Sequence, residues 1–295
     1  MSRPAPLAAG VKRVVLALAS VGPVGHAAAQ QATNVPAALQ PGEGSFIYRP
    51  LASYFRLDGE GANGDVDMVI QSHALAYGLT PEFTAVAEVP LVYVNTPGAE
   101  DVGVGDIDLT LQWRWFADDP APLQTRRVVL IGGVEVPSFD DGFSSDSLDP
   151  FFGVSATLNH RRHAVNAAAV WQFNTGGGGD GPTLGFSESD AEALAVDAAY
   201  LYRIDPVSFA EGGLTSTFFQ AQFLARYETH GDTQLIFAPG IIHNGLTWAV
   251  EAVVQVPLAQ DLDHRAELDV GFTACLLYTS PSPRDQRGAR MPSSA

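Results

Sequence analysis

The sequence predicts an all-β fold: an antiparallel, up-and-down transmembrane β-barrel of about twelve strands, the last of them truncated. Three observations carry that reading. In residues 106–115, Ile107, Leu109, Leu111, Trp113 and Trp115 share one parity, and Asp106, Asp108, Thr110, Gln112 and Arg114 share the other. Successive side chains of a strand point to opposite faces, whereas a helix would spread both sets around its circumference. The chain is 46% hydrophobic and 17% charged, yet no run reaches the roughly 18 apolar residues of a spanning helix. Finally, apolar faces that are small and aliphatic in the middle end in aromatic residues, as at a bilayer interface.

The first strand is read in 45–57, with Phe46, Tyr48, Tyr54 and Phe55, although Pro50 interrupts its alternation. Residues 66–77 form the second strand, 78–82 a tight turn and 83–93 the third, closed by Tyr93. An acidic, glycine-bearing loop is expected at 95–105, then the strand 106–115 and a connection over 117–127. Strands follow at 128–137, with Glu135 on the polar face, and at 151–160, where Phe152, Val154, Ala156 and Leu158 alternate with small polar residues. The return strand ends on Trp171 and Phe173, and 176–190 is the longest loop.

Further on, Leu194, Val196, Ala198, Tyr200 and Tyr202 oppose Asp197 and Arg203, and Phe219, Phe223 and Tyr227 oppose Gln220, Gln222 and Arg226. Residues 233–242 make another strand. The Trp248–Val256 strand places Glu251 inward, and the last strand, 265–274, places Glu267 and Asp269 opposite Leu268 and Phe272. If the chain starts on the periplasmic side, the links at 58–65, 95–105, 138–150, 174–190, 229–232 and 258–264 face outward and hold most of the aspartates and glycines. The links at 78–82, 161–163 and 243–245 face inward and are very short, although 117–127 and 204–217 are not. Long outer loops and short inner turns are the asymmetry of bacterial barrels. A soluble β-sandwich or lipocalin-like barrel also alternates, but charge along the whole polar face argues against a dry core.

Residues 1–29 read as a secretory signal peptide, with Arg3, Lys12 and Arg13, a short apolar core at 14–21 and Ala27–Ala29 before Gln30. Residues 30–44 read as an exposed, Pro-containing lead-in, and 45–274 as the barrel. The stretch from Cys275 to Asp285 resembles a translated sequencing adapter, so 275–295 is expected to be a non-native tail in which no strand pattern continues. The single cysteine lies there, which excludes a disulfide-stapled scaffold for the remainder. With 16 basic against 33 acidic residues, the chain carries −17 and lacks the basic footprint of a nucleic-acid binder.

No cofactor, metal or catalytic constellation emerges. Gly176–Gly179 lacks the Lys-Ser/Thr of a phosphate-binding loop. His160 and His163 flank Arg161-Arg162 in a turn without further ligands, and His73 reads as a lumen-lining imidazole. Asp108, Arg114, Glu135, Asp197, Arg226, Glu251, Glu267 and Asp269 are expected to line the lumen, because isolated charge is too costly in a dry core. Tyr93, Trp113, Trp115, Trp171, Phe173, Tyr200, Tyr202, Tyr227 and Trp248 are the expected aromatic girdle. Acidic loops and an acidic wall would favour cations over anions; solubility, or divalent-cation bridging to surface glycolipid, explains the loop acids equally well.

Tyr77-Gly78-Leu79-Thr80, Gly103–Leu109, and Arg161–Asn166 followed by Phe173-Asn174-Thr175 resemble the MetA-pathway phenol-degradation family of outer-membrane proteins. The resemblance covers roughly residues 45–274 and rests on turns and strand ends, so it bears on fold and location more than on substrate. It implies a channel or transporter in the bacterial outer membrane, with membrane lipid and a small-molecule solute as partners. The expected function is therefore passive passage of small solutes, with aromatic compounds and cations as the classes considered, and not enzymatic. A lipid-acting enzyme and a structural or adhesive barrel with a plugged lumen are the alternatives.

Overall fold

Strand-forming, β-branched and aromatic residues recur at period two along the chain, and each such run finds its neighbour in sequence as its partner in space. In a computed structural model, residues 32–58, 65–121, 123–139, 143–176, 191–207, 215–263 and 266–279 are described. The expected signal peptide, the glycines 177–179, the acids Asp140 and Asp141 and residues 280–295 lie outside them. The strands are β1 Phe46–Asp58, β2 Val66–Gly78, β3 Phe83–Thr96, β4 Ala99–Val104, β5 Ile107–Ala121, β6 Gln124–Val136 and β7 Asp149–His160. They continue as β8 His163–Gln172, β9 Ala193–Asp205, β10 Ser216–Glu228, β11 Thr233–Asn244, β12 Trp248–Asp261 and β13 Glu267–Thr279.

Every strand pairing is antiparallel, and β1 pairs with both β2 and β13, which closes the sheet on itself. Closure removes the edges that a bilayer could not satisfy. β4 and β5 both lie against β3: β4 pairs with Leu91–Thr96 and β5 with Phe83–Glu88. Together they fill one wall position, so the barrel has twelve. The expected loop 95–105 is thus corrected to a hairpin extension, turning at Gly98 with φ 104° and leaving Glu100 and Asp101 exposed.

Two more boundaries differ from the sequence reading. The connection expected over 117–127 is strand for most of its length, with Ala117 opposite Arg127, Asp118 opposite Arg126 and Ala121 opposite Gln124. Leu123 takes φ 65° there. This makes another link at that end of the barrel very short. β13 also runs past Ala274, with Cys275 and Leu277 buried and Tyr278 exposed, and it pairs Leu51 with Cys275 and Ile47 with Thr279.

Outward side chains form an apolar band, including Leu109, Leu111, Phe219, Phe223, Ile241, Val250, Val254 and Phe272, all exposed. A continuous exposed band of that kind is the surface a bilayer covers. No helix among the described residues is long and apolar enough to cross a membrane. At the end carrying the tight turns (the turn end), Phe83 stacks on Trp113 at 6.2 Å. Near the opposite, loop end, Trp171 and Phe173 lie 6.4 Å apart, with Phe152 5.3 Å from Phe173.

The interior is filled. Leu57, Met68, Val92, Val94, Leu224, Ile236 and Leu268 are buried toward the loop end; Leu201, Phe218, Ile242 and Leu277 are buried toward the turn end. Between them lies a polar layer that includes Gln220, Gln222, Gln255, Asn166 and Thr157. The segment expected to be an exposed lead-in belongs to this interior: Ala32, Val35 and Ala38 are fully buried. The correction has a steric reason, because small residues and prolines fit a lumen that bulky ones would not.

Candidate functional site

Among the described residues, polar chemistry, charge and enclosed space meet in the lumen, and the N-terminal segment runs through it. Three contacts of that segment join its backbone to inward side chains, and a fourth joins a side chain of the segment to the wall backbone. Glu251 of β12 accepts a hydrogen bond from the Thr33 amide at 2.8 Å, and further ones from Gln220 Nε2 at 2.5 Å and Gln222 Nε2 at 3.2 Å. Thr157 Oγ1 accepts from the Ala38 amide at 2.9 Å, and Ser155 donates to the Pro36 carbonyl at 2.6 Å. Gln40 Nε2 donates to the Gln112 carbonyl at 3.3 Å. An extended segment has no internal ladder, so these wall groups supply what a strand partner otherwise would.

Asp197 of β9 is buried and bonds Arg226 of β10, an ion pair within the wall. Glu135 of β6 accepts from Gln172 Nε2 at 2.7 Å. Asp108 points inward on β5, between Glu88 of β3 and Glu135, directly opposite each. Arg114 sits at the turn end, where its guanidinium donates to the Pro81 carbonyl and holds the β2–β3 turn.

Glu267 and Asp269 depart from the lumen expectation. Both are exposed at the loop end, and Asp269 lies 3.7 Å from Arg56, itself half exposed. The cause is a register shift between Arg56 and Leu57 opposite Asp269, which reverses the parity of β13 and turns Leu268 inward in place of the acids. His73 is corrected too: Ser72 and Ala74 are buried while His73 shares its face with exposed Val69 and Leu75. On that outer face its ring stacks with Tyr48 at 6.1 Å, and Nδ1 is 2.7 Å from the Tyr48 hydroxyl. His163 repeats the arrangement with the Tyr200 hydroxyl at 2.7 Å.

The residues of the expected girdle lie on the outer face, and Trp113, Trp115 and Tyr200 stand mid-strand because β5 and β9 run on past them. Trp113, Trp115, Tyr200, Tyr202 and Trp248 stand toward the turn end; Tyr93, Trp171, Phe173 and Tyr227 stand toward the loop end. Two acids that the sequence reading left without a role hold the loop end together. Asp106 accepts from the Ser138 and Ser145 amides, both at 2.8 Å. Asp149 accepts from Ser147 Oγ at 2.7 Å and the Thr175 amide at 2.8 Å. Both bind segments distant in sequence, which no spacing rule reveals.

Between the N-terminal segment and the wall of β1, β2, β3 and β5–β8 lies a cavity of about 300 Å³. Glu88, Asp108 and Arg49 border it, with Ile131, Phe151 and Val170 as its apolar side. The ring of Phe151 reaches this position because Gly133 has no side chain; a Cβ there would stand 2.3 Å from the ring. Among the described residues, no group of three or more His, Cys, Asp or Glu is placed to hold a metal ion.

Compared with known proteins, the chain matches no family profile and no curated protein. Among solved structures it is similar to the COG4313 outer membrane channel from Pseudomonas putida F1, with TM-score 0.57 and 13% identity over 81% of this chain and 96% of that one. A looser similarity, TM-score 0.47 and 13% identity, covers 80% of this chain and 99% of the β domain of the Bordetella autotransporter BrkA. What the first likeness shows is the fold.

Proposed function

We propose that this protein is an outer-membrane channel for passive passage of small solutes, held closed at rest by its own N-terminal segment. The observation that supports this most directly is the threading of residues 32–41 through a lumen whose wall residues Glu251, Thr157 and Ser155 bond its backbone. A polar inner surface around a removable segment suits a conduit; an enzyme would need a nucleophile and base held within reach of each other. The apolar outer band and the twelve-position wall support a location in a bacterial outer membrane, and the COG4313 protein of similar fold is named an outer membrane channel. Small aromatic compounds and cations are the solutes we assign, the first from the resemblance to the MetA-pathway family and the second from the acidic interior.

Liposome swelling tests the reading. Vesicles containing a variant lacking residues 32–41 should admit small aromatic amines faster than vesicles containing the full-length protein, and admit sugars of larger size no faster. Equal swelling rates for that variant and for protein-free vesicles, for every solute, would count against a channel.

The plugged structural barrel is the second reading, favoured by the filled interior. It differs in one outcome: its lumen would stay shut after the segment is removed.

A further inference from the structure

Between its girdles the outer face is apolar on β8, with Val165, Ala167 and Ala169, and on β10, with Phe219, Ala221, Phe223 and Ala225. β2 breaks that rule. Its outward residues run Val69, Gln71, His73 and Leu75, alternating with inward Met68, Ser72 and Ala74. Gln71 and His73 lie between the cross-strand row Tyr54–Val69–Tyr93 on the loop side and the pair Phe46–Tyr77 on the turn side, well inside the apolar band. Gln71 is partly exposed and has no hydrogen-bond partner among the described residues. His73 meets the Tyr48 hydroxyl through Nδ1, and its Nε2 has no such partner. Hydrocarbon offers neither donor nor acceptor, so a carboxamide facing it alone is costly.

A second observation concerns shape. Ala52 of β1 is directly opposite Gln71, Ala274 of β13 opposite Ala52, and Ala252 of β12 opposite Ala274. With Gly240 of β11 these small residues floor an outward depression of about 640 Å³, walled by Phe219 and Phe272. The wall is also thin there. The register of β11 on β12 passes from Phe237–Val256 to Gly240–Val253 and skips Pro239, which has no N–H to give. On the other side of Gln71 the surface is raised: its partner on β3 is Leu91, bulky and exposed.

We propose that this face, β1 and β2 with the depression beside them, is the interface between two copies of this chain. A lipid tail can fill a depression but cannot satisfy an amide; a second copy does both. A carboxamide carries its own donor and acceptor, so Gln71 pairs with the same residue across a two-fold axis. Rotation about an axis along the membrane normal sets the Ala52 side of one copy against the Leu91 side of the other, small against bulky, and does so twice. That self-complementarity names the occupant: a second copy of this chain. The interface also puts protein, in place of lipid, over the thin place in the wall. The proposal goes beyond the channel reading and does not require the lumen to conduct.

The test is the oligomeric state of the full-length protein, by sedimentation equilibrium in a mild detergent and by cross-linking in membranes. The sedimenting mass should correspond to two chains. Gln71→Leu, which removes the amide, and Ala52→Phe, which fills the depression, should each weaken the dimer at least tenfold. Ala167→Phe, on the outer face of β8 across the barrel, should change it less than twofold. In membranes treated with copper phenanthroline, Gln71→Cys should give a disulfide-linked dimer and Ala167→Cys should not; Cys275 is buried in both. A single-chain mass together with no Gln71→Cys cross-link would overturn the proposal, whether or not lipid is found in the depression. So would a dimer that folded Gln71→Leu and Ala52→Phe leave undiminished. Where detergent and membrane disagree, the cross-link in membranes decides, and it needs no bulky variant to fold. Because no ion flow is measured, a monomeric barrel leaves the channel reading standing, and a dimer that never conducts leaves this one standing.

Discussion

Glu251 is the residue on which the closed lumen depends most. It is buried and accepts hydrogen bonds from the Thr33 amide and from the side chains of Gln220 and Gln222. Glu251→Ala strands three buried donors, each worth about 1–3 kcal/mol when left unsatisfied. Thermal unfolding in detergent should occur at lower temperature, and bilayer recordings should become noisier as the segment loosens; Glu251→Gln, which keeps an acceptor, should do less of both. Gly133 makes a steric prediction. A Cβ there meets the Phe151 ring at 2.3 Å and the Leu109 carbonyl at 2.7 Å, so Gly133→Ala should destabilise the barrel by about 1–3 kcal/mol, measured by denaturant titration in micelles. Single residues also show where sequence reading reached and stopped. Asp197 and Glu251 are readable as inward because their strands alternate without a break. Glu267 and Asp269 are not, because one register shift in β13 reverses parity while leaving the local pattern intact.

Strands and segments were legible in proportion to how regularly they alternate. β5 and β7 carry full periods of apolar and polar residues, and both lie where the pattern puts them. β4 was hidden because its acids Glu100 and Asp101 resemble loop chemistry; they are tolerated in a strand that extends to the loop end and leaves them exposed. The N-terminal segment has no period at all, and the only hint of its place is the smallness of Ala32, Ala37 and Ala38 beside two prolines. Its partners lie up to 218 positions away in the chain, a separation that local reasoning cannot span. The last strand makes a direct prediction. Residues 275–279 pair with the first half of β1 and complete the ring there. Deleting them exposes backbone groups of Ile47–Leu51 to lipid, where each unsatisfied group costs several kcal/mol. The shortened chain should lose the heat-modifiable migration of a folded barrel in SDS gels; retention of that migration would mean that these five residues are dispensable for closure.

At the scale of the whole molecule, the apolar exterior, the closed ring of twelve wall positions and the polar interior follow from one periodicity repeated along the chain. What periodicity leaves open is whether the interior is empty, since filled and open barrels alternate alike. Here the wall is shared between two apolar layers, a polar layer and a segment of the same chain lying across it. The central claim is that this segment is what keeps the lumen shut. The measurement that bears on it most directly is planar-bilayer conductance of the full-length protein beside a variant lacking residues 32–41. We expect the full-length protein to be silent or to open briefly, and the shortened one to give stable steps that favour cations. A shortened barrel that inserts, folds and stays silent, or a full-length protein that conducts just as steadily, would contradict the account.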